Sequence, residues 1–422
     1  MRHWLLLTTL SITAACAPAT APSEAPVPTP EDPAYTITLD RPIQDVHRRT
    51  VGFRDAGVWF SNEFPGGRLN DVWRDGDTLF VGLIRPENAP INNSAWFAFK
   101  VWSDGPESVV LRLEYDDGRH RYWPKTRLAG RVWQPLAPEA VRVDTITNTA
   151  TFLLDVGPDT LWVAGQKLIT SAELWSWTDS LATLSHVSSE VIGRSRRGRD
   201  IHMLTITDNP RATEQVLLIG RQHPPEVTGT LGMIRFVEEI AGDTPLARRF
   251  RQHFQVRAVP LVNPDGVDLG HWRHNTGGVD LNRDWVAFRQ PETRAVRDAF
   301  LRIREQGLGR VWFAADFHST WRDVFYTLDR ELETEPASFI DRWLDRIDRE
   351  LPDYHVDDSP SGLASPTSRN WFYREFGAPA VTYEVGDGTD PDLIRAVAAT
   401  AARAMMELLL DSTDLAERVS TY

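Results

Sequence analysis

Short apolar runs of strand length alternate with longer helix-like runs over the second half of the chain. The strand-like runs cover residues 201–207, 216–221, 254–262, 311–317 and 380–385, and the helix-like runs cover residues 229–241, 291–306, 336–350 and 391–410. This alternation is typical of a sheet covered by helices on both faces, in which ligands bind beyond the strand ends. We therefore predict an α/β domain over residues 166–415, with its functional site at one edge of the sheet.

Three potential metal ligands lie at the ends of two of these strand-like runs. His223 and Glu226 follow the run that breaks at Gly220, and His318 closes the run over residues 311–317. A catalytic zinc takes three protein ligands, commonly histidine and carboxylate, and keeps one position for water. A His-x-x-Glu pair by itself is more often a surface or helix-capping pair. The third candidate at another strand end favours a metal site.

A carboxylate also interrupts the last apolar run of the sheet. Glu384 lies in or at the end of the strand predicted over residues 380–385. An unpaired carboxylate in a buried strand costs free energy. We therefore interpret Glu384 as a working group; a structural carboxylate at the strand edge is the alternative.

The preceding part of the chain has a different pattern. Over residues 35–165, apolar residues recur with period two, and turn signals such as Asp117-Gly118 separate the runs. Short strands at this spacing, without a clear helix, predict an all-β sandwich. Its many tryptophans favour core or interface packing over a carbohydrate-binding platform. Because this region contains no cluster of ligand-type residues, we expect the chemistry to lie in the α/β domain.

The first 34 residues have the composition of a leader and a linker. Residues 1–16 have a basic start, a short apolar stretch and small residues before Cys16, which resembles the lipobox of bacterial lipoproteins. Residues 17–34 are rich in proline and alanine and predict an extended tether. The expected location is the bacterial cell envelope, with a lipid on Cys16 as the only membrane attachment; plain secretion is the alternative. The net charge of −13 argues against nucleic acid as a partner.

Several motifs in order make the resemblance to a known family specific. After the His-x-x-Glu pair come Asn263-Pro-Asp-Gly, an isolated Arg273, Asn282-Arg283, the strand-end histidine and the late-strand glutamate. Together they resemble the zinc metallocarboxypeptidase family. The residues of these motifs and the preceding β-sandwich resemble the cytosolic carboxypeptidase subfamily more than the pancreatic type. The resemblance implies a carboxypeptidase-like α/β domain with a mixed sheet.

The resemblance also assigns the chemical roles. It implies one zinc ion per chain, held by His223, Glu226 and His318. Glu384 matches the general base, and Arg273 matches the arginine that stabilises the developing oxyanion.

Substrate recognition follows from the same resemblance. Asn282 and Arg283 match the pair that binds the terminal carboxylate of the substrate, since a planar guanidinium suits that group. Arg369 lies where the family places the side chain that selects the released residue, which implies a preference for acidic residues; a solvated loop arginine is the alternative. The family's mobile tyrosine is expected at Gly362 and is absent there, with Tyr354 the nearest upstream tyrosine.

These observations predict a zinc metallocarboxypeptidase that removes the C-terminal residue of peptides. One alternative is a peptidoglycan stem-peptide carboxypeptidase or amidase, or an enzyme that deacylates N-acyl amino acids, acting on cell-wall peptides or related substrates. The other is a non-catalytic lipoprotein that binds glycans or peptides. Retention of all the catalytic residue types argues against an inert protein.

Overall fold

The structure, a computed structural model, describes residues 41–420, and the side chains of residues 41–413. The predicted leader (residues 1–16) and linker (residues 17–34) lie outside the described residues. None of the helices within residues 41–420 is long and apolar enough to cross a membrane.

The N-terminal region consists of strands in two sheets, which we call the sandwich domain. The strands are β1 (Thr50–Phe53), β2 (Val58–Ser61), β3 (Asp71–Asp75), β4 (Leu79–Ile84), β5 (Ala98–Ser103), β6 (Glu107–Tyr115), β7 (Lys125–Leu128), β8 (Gln134–Pro135), β9 (Val141–Asp144), β10 (Thr149–Val156) and β11 (Leu161–Ala164). One sheet has the order β1-β2-β5-β11-β7-β8 and the other β3-β4-β6-β10-β9. A short 3-10 helix, Pro138–Ala140, precedes β9.

The apolar residues that alternate in the sequence point into the space between the two sheets. In β6 every second side chain from Val109 to Tyr115 is buried, and the residues between them are partly exposed. The buried side chains of both sheets form one shared core, which includes Phe60 and Phe99 from one sheet and Phe152 from the other. This confirms the predicted β-sandwich.

The second region contains eight strands and eight helices. The strands are β12 (Val187–Arg194), β13 (Asp200–Ile206), β14 (Glu214–Gly220), β15 (Phe254–Val259), β16 (Arg310–Thr320), β17 (Val324–Leu328), β18 (Asp358–Ser361) and β19 (Ala380–Gly386). The helices are α1 (Ser171–Leu181), α2 (Val227–Ala241), α3 (Pro245–His253), α4 (Pro264–Leu269), α5 (Pro291–Glu305), α6 (Phe339–Glu350), α7 (Ser368–Phe376) and α8 (Pro391–Ser420), and a 3-10 turn spans Leu281–Arg283.

The eight strands form one mixed sheet with the order β12-β13-β15-β14-β16-β19-β17-β18. The central pairs β15-β14, β14-β16 and β16-β19 are parallel, while β13 and β17 run antiparallel to their central neighbours. Helices α2, α3, α6 and α8 pack on one face through a core that includes Phe317, and α5 and α7 cover the other. The predicted mixed sheet with helices on both faces is confirmed.

Two predicted elements differ from the structure in their boundaries. The strand predicted over residues 254–262 ends at Val259, because Pro260 lacks the N–H that would continue the ladder. The helix predicted from residue 336 begins at Phe339.

Candidate active site

The site lies at the carboxyl ends of three adjacent strands. β14, β16 and β19 are parallel neighbours, and their register places Gly220 opposite Phe317 and His318 opposite Glu384. His223 follows β14 by three residues. Because parallel strands end at the same edge of a sheet, the three side chains converge there.

A turn before the helix brings the first two ligand candidates together. The backbone N–H of Glu226 donates to the carbonyl of His223 over 3.3 Å, and α2 begins only at Val227. The start of this helix lies against β16 at Gly229, where a Cβ would stand 2.1 Å from the carbonyl oxygen of His318. A glycine is therefore required at this close approach.

Ligand atoms of His223, Glu226 and His318 all lie within 4.8 Å of one another, and the three residues are buried. The Nδ1 atoms of the two histidines are 3.1 Å apart, and each lies 2.7–2.8 Å from one oxygen of Glu226. Two imidazole nitrogens and a carboxylate are a donor set that zinc accepts.

Two aspartates that the sequence analysis did not identify orient the histidines. Asp280 Oδ1 lies 2.8 Å from Nε2 of His223, and Asp316 Oδ2 lies 2.8 Å from Nε2 of His318. With the imidazoles neutral, as metal binding requires, each Nε2 carries the proton that its carboxylate accepts, and Nδ1 faces the cluster as a lone-pair donor. The tautomers fit a metal at this position.

Glu384 faces the same site with a partly unpaired carboxylate. Its Oε2 is buried and has no hydrogen-bond partner within residues 41–413. Burial raises the pKa of Glu384 to about 8, and Glu226 adds to the rise, while His318 and Arg273 oppose it. Positive charge at the cluster would lower this pKa. An unpaired carboxylate beside a metal site is the arrangement expected of a proton-transfer group.

We call the side chains of His223, Glu226 and His318 together the metal cluster. Arg273 lies beside it and is bound by the carboxylate that orients His223. Its Nε donates to Oδ2 of Asp280 over 2.7 Å, and its Nη1 lies 4.0 Å from Glu226. Burial alone would raise the pKa of Asp280, but Arg273 and His223 lower it well below its ordinary value. Asp280 is thus ionised and connects the candidate metal ligand His223 to Arg273.

Asn282 and Arg283 occupy the 3-10 turn that follows Asp280. The side-chain oxygen of Asn282 accepts from the N–H of Ser368 over 3.0 Å, and Nη1 of Arg283 donates to the carbonyl of Asn282 over 2.9 Å. Both residues line the same cavity of about 530 Å³ as the metal cluster and Glu384.

Arg369 also lines this cavity, near the start of α7. It is 4% exposed, so the alternative of a solvated loop arginine is wrong. Its guanidinium donates to three neutral oxygens, on Thr327 (2.7 Å), Ser361 (2.9 Å) and Asn370 (3.0 Å). Burial lowers the pKa of Arg369 to about 10.

The tyrosine of the cavity comes from a different element than expected. Tyr354 is buried in the hydrophobic core, and Gly362 lies in the segment before α7. Tyr326, on β17, lines the cavity and pairs with Thr382 two residues from Glu384. Side chains two residues apart share one face of a sheet, so Tyr326 and Glu384 lie on the same face. The β-branched and aromatic residues of β17 were an available strand signal that the sequence analysis did not use.

The sandwich domain supplies one wall of the cavity. Arg119 and Arg121 line it together with Asn93. Arg121 also forms an ion pair with Asp387 over 2.8 Å, just beyond β19. The sequence did not indicate these residues, because no local pattern shows that a loop of the first domain contacts the second domain.

Residues 174–399 match the family described as zinc carboxypeptidase. The chain belongs to the zinc carboxypeptidase family. Zinc is the metal of this family, and the His-Glu-His cluster supplies a donor set that suits it. All the residues assigned above to the metal cluster, Glu384 and the arginines of the second domain fall within the matched range.

Similar proteins include cytosolic carboxypeptidases. Cytosolic carboxypeptidase 6 of Mus musculus is 26% identical over 284 residues, which are 61% of this chain and 52% of that protein. Cytosolic carboxypeptidase 2 of Danio rerio is 36% identical over 278 residues, 58% of this chain and 38% of that protein. The chain thus spans about half the length, or less, of these relatives.

A solved structure has the same fold over most of the chain. The metallo-carboxypeptidase from Burkholderia cenocepacia superposes with a TM-score of 0.70 at 21% sequence identity. The match covers 85% of this chain and 99% of that chain. It therefore extends beyond the zinc carboxypeptidase domain into the sandwich domain.

Replacing Asp280 with Asn should weaken zinc binding by about 10- to 100-fold, the usual cost of losing a carboxylate behind a ligand histidine. The amide keeps the shape of the side chain but removes the charge that fixes the Nε2 proton of His223. Competition with a chromophoric zinc chelator measures the affinity. Asp316→Asn should act in the same direction through His318, whereas unchanged affinity in both variants would contradict the assigned orientation.

Proposed function

We propose that this protein is a zinc metallocarboxypeptidase that hydrolyses the C-terminal peptide bond of peptides and prefers acidic C-terminal residues. The observation that carries the proposal is Oε2 of Glu384, which has no hydrogen-bond partner among residues 41–413 and lies in the same cavity as the His223, Glu226 and His318 cluster. A metal donor set and a free proton acceptor in one cavity suit the hydrolysis of an amide bond.

The chemistry divides among the residues of the cavity. Zinc in the cluster would lower the pKa of a water ligand towards about 7 and polarise the scissile carbonyl. Glu384 accepts a proton from the attacking water and delivers it to the departing amine. Arg273 donates hydrogen bonds to the oxyanion that develops on the carbonyl oxygen.

Asn282 and Arg283 explain why cleavage would occur at the end of a chain. A guanidinium and an amide donor on one turn suit the two oxygens of a free terminal carboxylate. Binding this group beside the metal cluster places the preceding peptide bond at the reacting centre. Release of one terminal residue at a time follows from that position.

The charge of the cavity supports an acidic substrate. Its lining contains more arginines than carboxylates, namely Arg119, Arg121, Arg273, Arg283 and Arg369 against Glu226 and Glu384. Arg369 gives the strongest argument, because it is buried and, within residues 41–413, its guanidinium hydrogen-bonds to neutral oxygens only. Asp329 is near enough to oppose the fall in the pKa of Arg369 but does not hydrogen-bond to it, and a carboxylate of the released residue would supply a directly bonded counter-charge.

Arg369→Gln should lower kcat/KM for a peptide ending in Glu by about 10- to 100-fold, since a charged hydrogen bond contributes about 1.5–3 kcal/mol. A peptide ending in Leu should be affected little. The ratio of the two rates, measured for both enzymes by quantifying the released amino acid, checks this. Arg374→Gln, on the same helix and outside the cavity lining, is the matched control. Faster release of Leu, Phe or Lys than of Glu by the wild type would contradict the acidic preference.

A mixed C-terminal peptide library, digested beside purified muropeptides, tests the substrate class. Release of terminal residues from the library supports the proposal. Cleavage of muropeptides alone would instead favour a stem-peptide carboxypeptidase or amidase, and cleavage of neither would contradict hydrolysis of peptides.

We also propose that the protein is anchored in the cell envelope through a lipid on Cys16. The proposal is supported by the leader-like residues 1–16 and the proline-rich residues 17–34. Cys16→Ser should move the protein from the membrane fraction to the soluble fraction, because a thioether-linked lipid cannot form on serine. Membrane association of the variant would refute the anchor.

A further inference from the structure

A carboxylate of the sandwich domain contacts the backbone of the loop that carries Arg273. Glu87 has no solvent exposure. Its Oε2 accepts from the N–H of Trp272 over 2.7 Å, and its Oε1 accepts from the N–H groups of Arg273 (2.9 Å) and His274 (2.7 Å). Three consecutive amides therefore converge on one carboxylate from another domain.

Such a buried carboxylate is expensive unless it is compensated. Burial would raise the pKa of Glu87, but His271, His274, Arg68 and the N–H of Trp272 lower it to about 2. Burial lowers the pKa of His274 to about 4 and also lowers the pKa of His271, so at neutral pH the charge compensation comes from Arg68 and the amides. Glu87 is therefore ionised and held by this loop.

Other contacts fix the same loop to the sandwich domain. Trp272 is fully buried in the core of the sandwich, and its indole N–H donates to the carbonyl of Trp96 over 3.1 Å. Asn88 lies 2.6 Å from Nδ1 of His274 and donates to the carbonyl of Gly278 over 3.3 Å. The backbone on both sides of Arg273 is thus held by the first domain.

The side chain of Arg273 is fixed at its other end by Asp280, over 2.7 Å. One carboxylate holds the backbone of this arginine and another holds its guanidinium. Its Nη1 faces the three metal-ligand candidates, 4.0 Å from Oε1 of Glu226. A shift of the backbone at Arg273 would move these donors relative to the reacting carbonyl.

We propose that Glu87 is a positioning residue for catalysis, and that through it the sandwich domain sets the place of the oxyanion-stabilising arginine. This inference rests on the proposed role of Arg273. It gives a function to the contact between the sandwich domain and the α/β domain at residues 272–274. A catalytic group displaced by about 1 Å can lose up to about 10²-fold in rate.

A double-mutant cycle between Glu87→Gln and Arg273→Ala tests the inference. The glutamine places an NH₂ group against N–H donors, so we expect Glu87→Gln to lower kcat by about 10- to 100-fold with little change in KM. In the Arg273→Ala background the same change should cost no more than about twofold, the scatter for independent sites. The substrate is a synthetic peptide ending in Glu, and zinc content is measured for every variant.

Asp45→Asn is the matched control at the domain interface. Asp45 pairs with Arg197 through two hydrogen bonds of 2.8 and 2.7 Å between the domains, and it is about half exposed. Loss of this pair should leave kcat within about twofold of the wild type. A fall in kcat as large as that of Glu87→Gln would mean that any weakening of the interface has this effect, and would overturn a specific role for Glu87.

Amide hydrogen exchange gives a readout that does not depend on activity. The N–H groups of residues 272–274 should exchange faster in Glu87→Gln than in the wild type, while the amides of β16 stay protected. If Glu87→Gln does not fold, Glu87→Asp, which keeps the charge on a shorter side chain, is measured in its place by the same criteria.

The outcomes separate the two hypotheses. Full turnover by Arg273→Ala, or no cleavage of peptide by the wild type, contradicts the proposed function. The exchange data then test only whether Glu87 holds the amides of residues 272–274. A full Glu87 effect in the Arg273→Ala background, or unchanged exchange at residues 272–274, overturns the positioning role.

Discussion

Glu384→Gln should retain one zinc per chain and lower peptide hydrolysis by about 10²- to 10⁴-fold, the usual contribution of a positioned general base. The amide occupies the same volume but cannot accept a proton from the attacking water. Because Glu384 makes no hydrogen bond through Oε2 in the described part of the chain, its replacement should not disturb the fold.

Zinc content by mass spectrometry and single-turnover hydrolysis of a peptide ending in Glu measure the two effects separately. Glu190→Gln, an exposed glutamate on the edge strand β12 of the same sheet, serves as the control and should keep wild-type activity. Wild-type turnover by Glu384→Gln with zinc bound would remove Glu384 from the mechanism.

The second large effect is expected from His318→Ala, which removes a predicted zinc ligand. The variant should retain no zinc after dialysis and should lose more than about 10³-fold in hydrolysis, since metal catalysis supplies several kcal/mol of stabilisation. It also removes the buried partner of Glu226 and Asp316, so its thermal unfolding temperature should fall.

Added zinc tests whether the lost activity depends on a metal that His318 holds, and the comparison requires that the variant is folded. Wild-type protein stripped by a chelator should recover activity when zinc is returned, whereas His318→Ala should not. His253→Ala, at an exposed histidine that ends α3, should keep both zinc and activity. Zinc binding by folded His318→Ala with wild-type affinity would contradict the assigned ligand set.

The elements that the sequence predicted well have strong local signals. The apolar run of β16 and the helical pattern of α5 are long enough to be identified without knowledge of their neighbours. The metal-ligand candidates and Glu384 lie in the last residues of such runs or a few residues after them. Their position along the chain therefore placed them at strand ends, and the order of the motifs gave the family.

Elements with weak local signals were missed. β12 has an irregular burial pattern, since it lies at the edge of the sheet. Helix α7 is only nine residues long and is rich in charged and aromatic side chains. The sequence therefore indicated Arg369 as a site residue but did not predict the helix that carries it. The glycine at residue 377, which ends α7 in a left-handed conformation, was an available signal for the end of this helix.

Local pattern and the order of the motifs thus account for the fold class and for the choice of candidate reactive groups. Tertiary structure alone decided which other groups act on them. Asp280, Asp316 and Tyr326 reach the site through turns and strand pairing, and Glu87 reaches Arg273 across 186 residues of chain. The physical reason is that hydrogen bonds and charge depend on distances of a few ångströms in space, which separation along the chain does not determine.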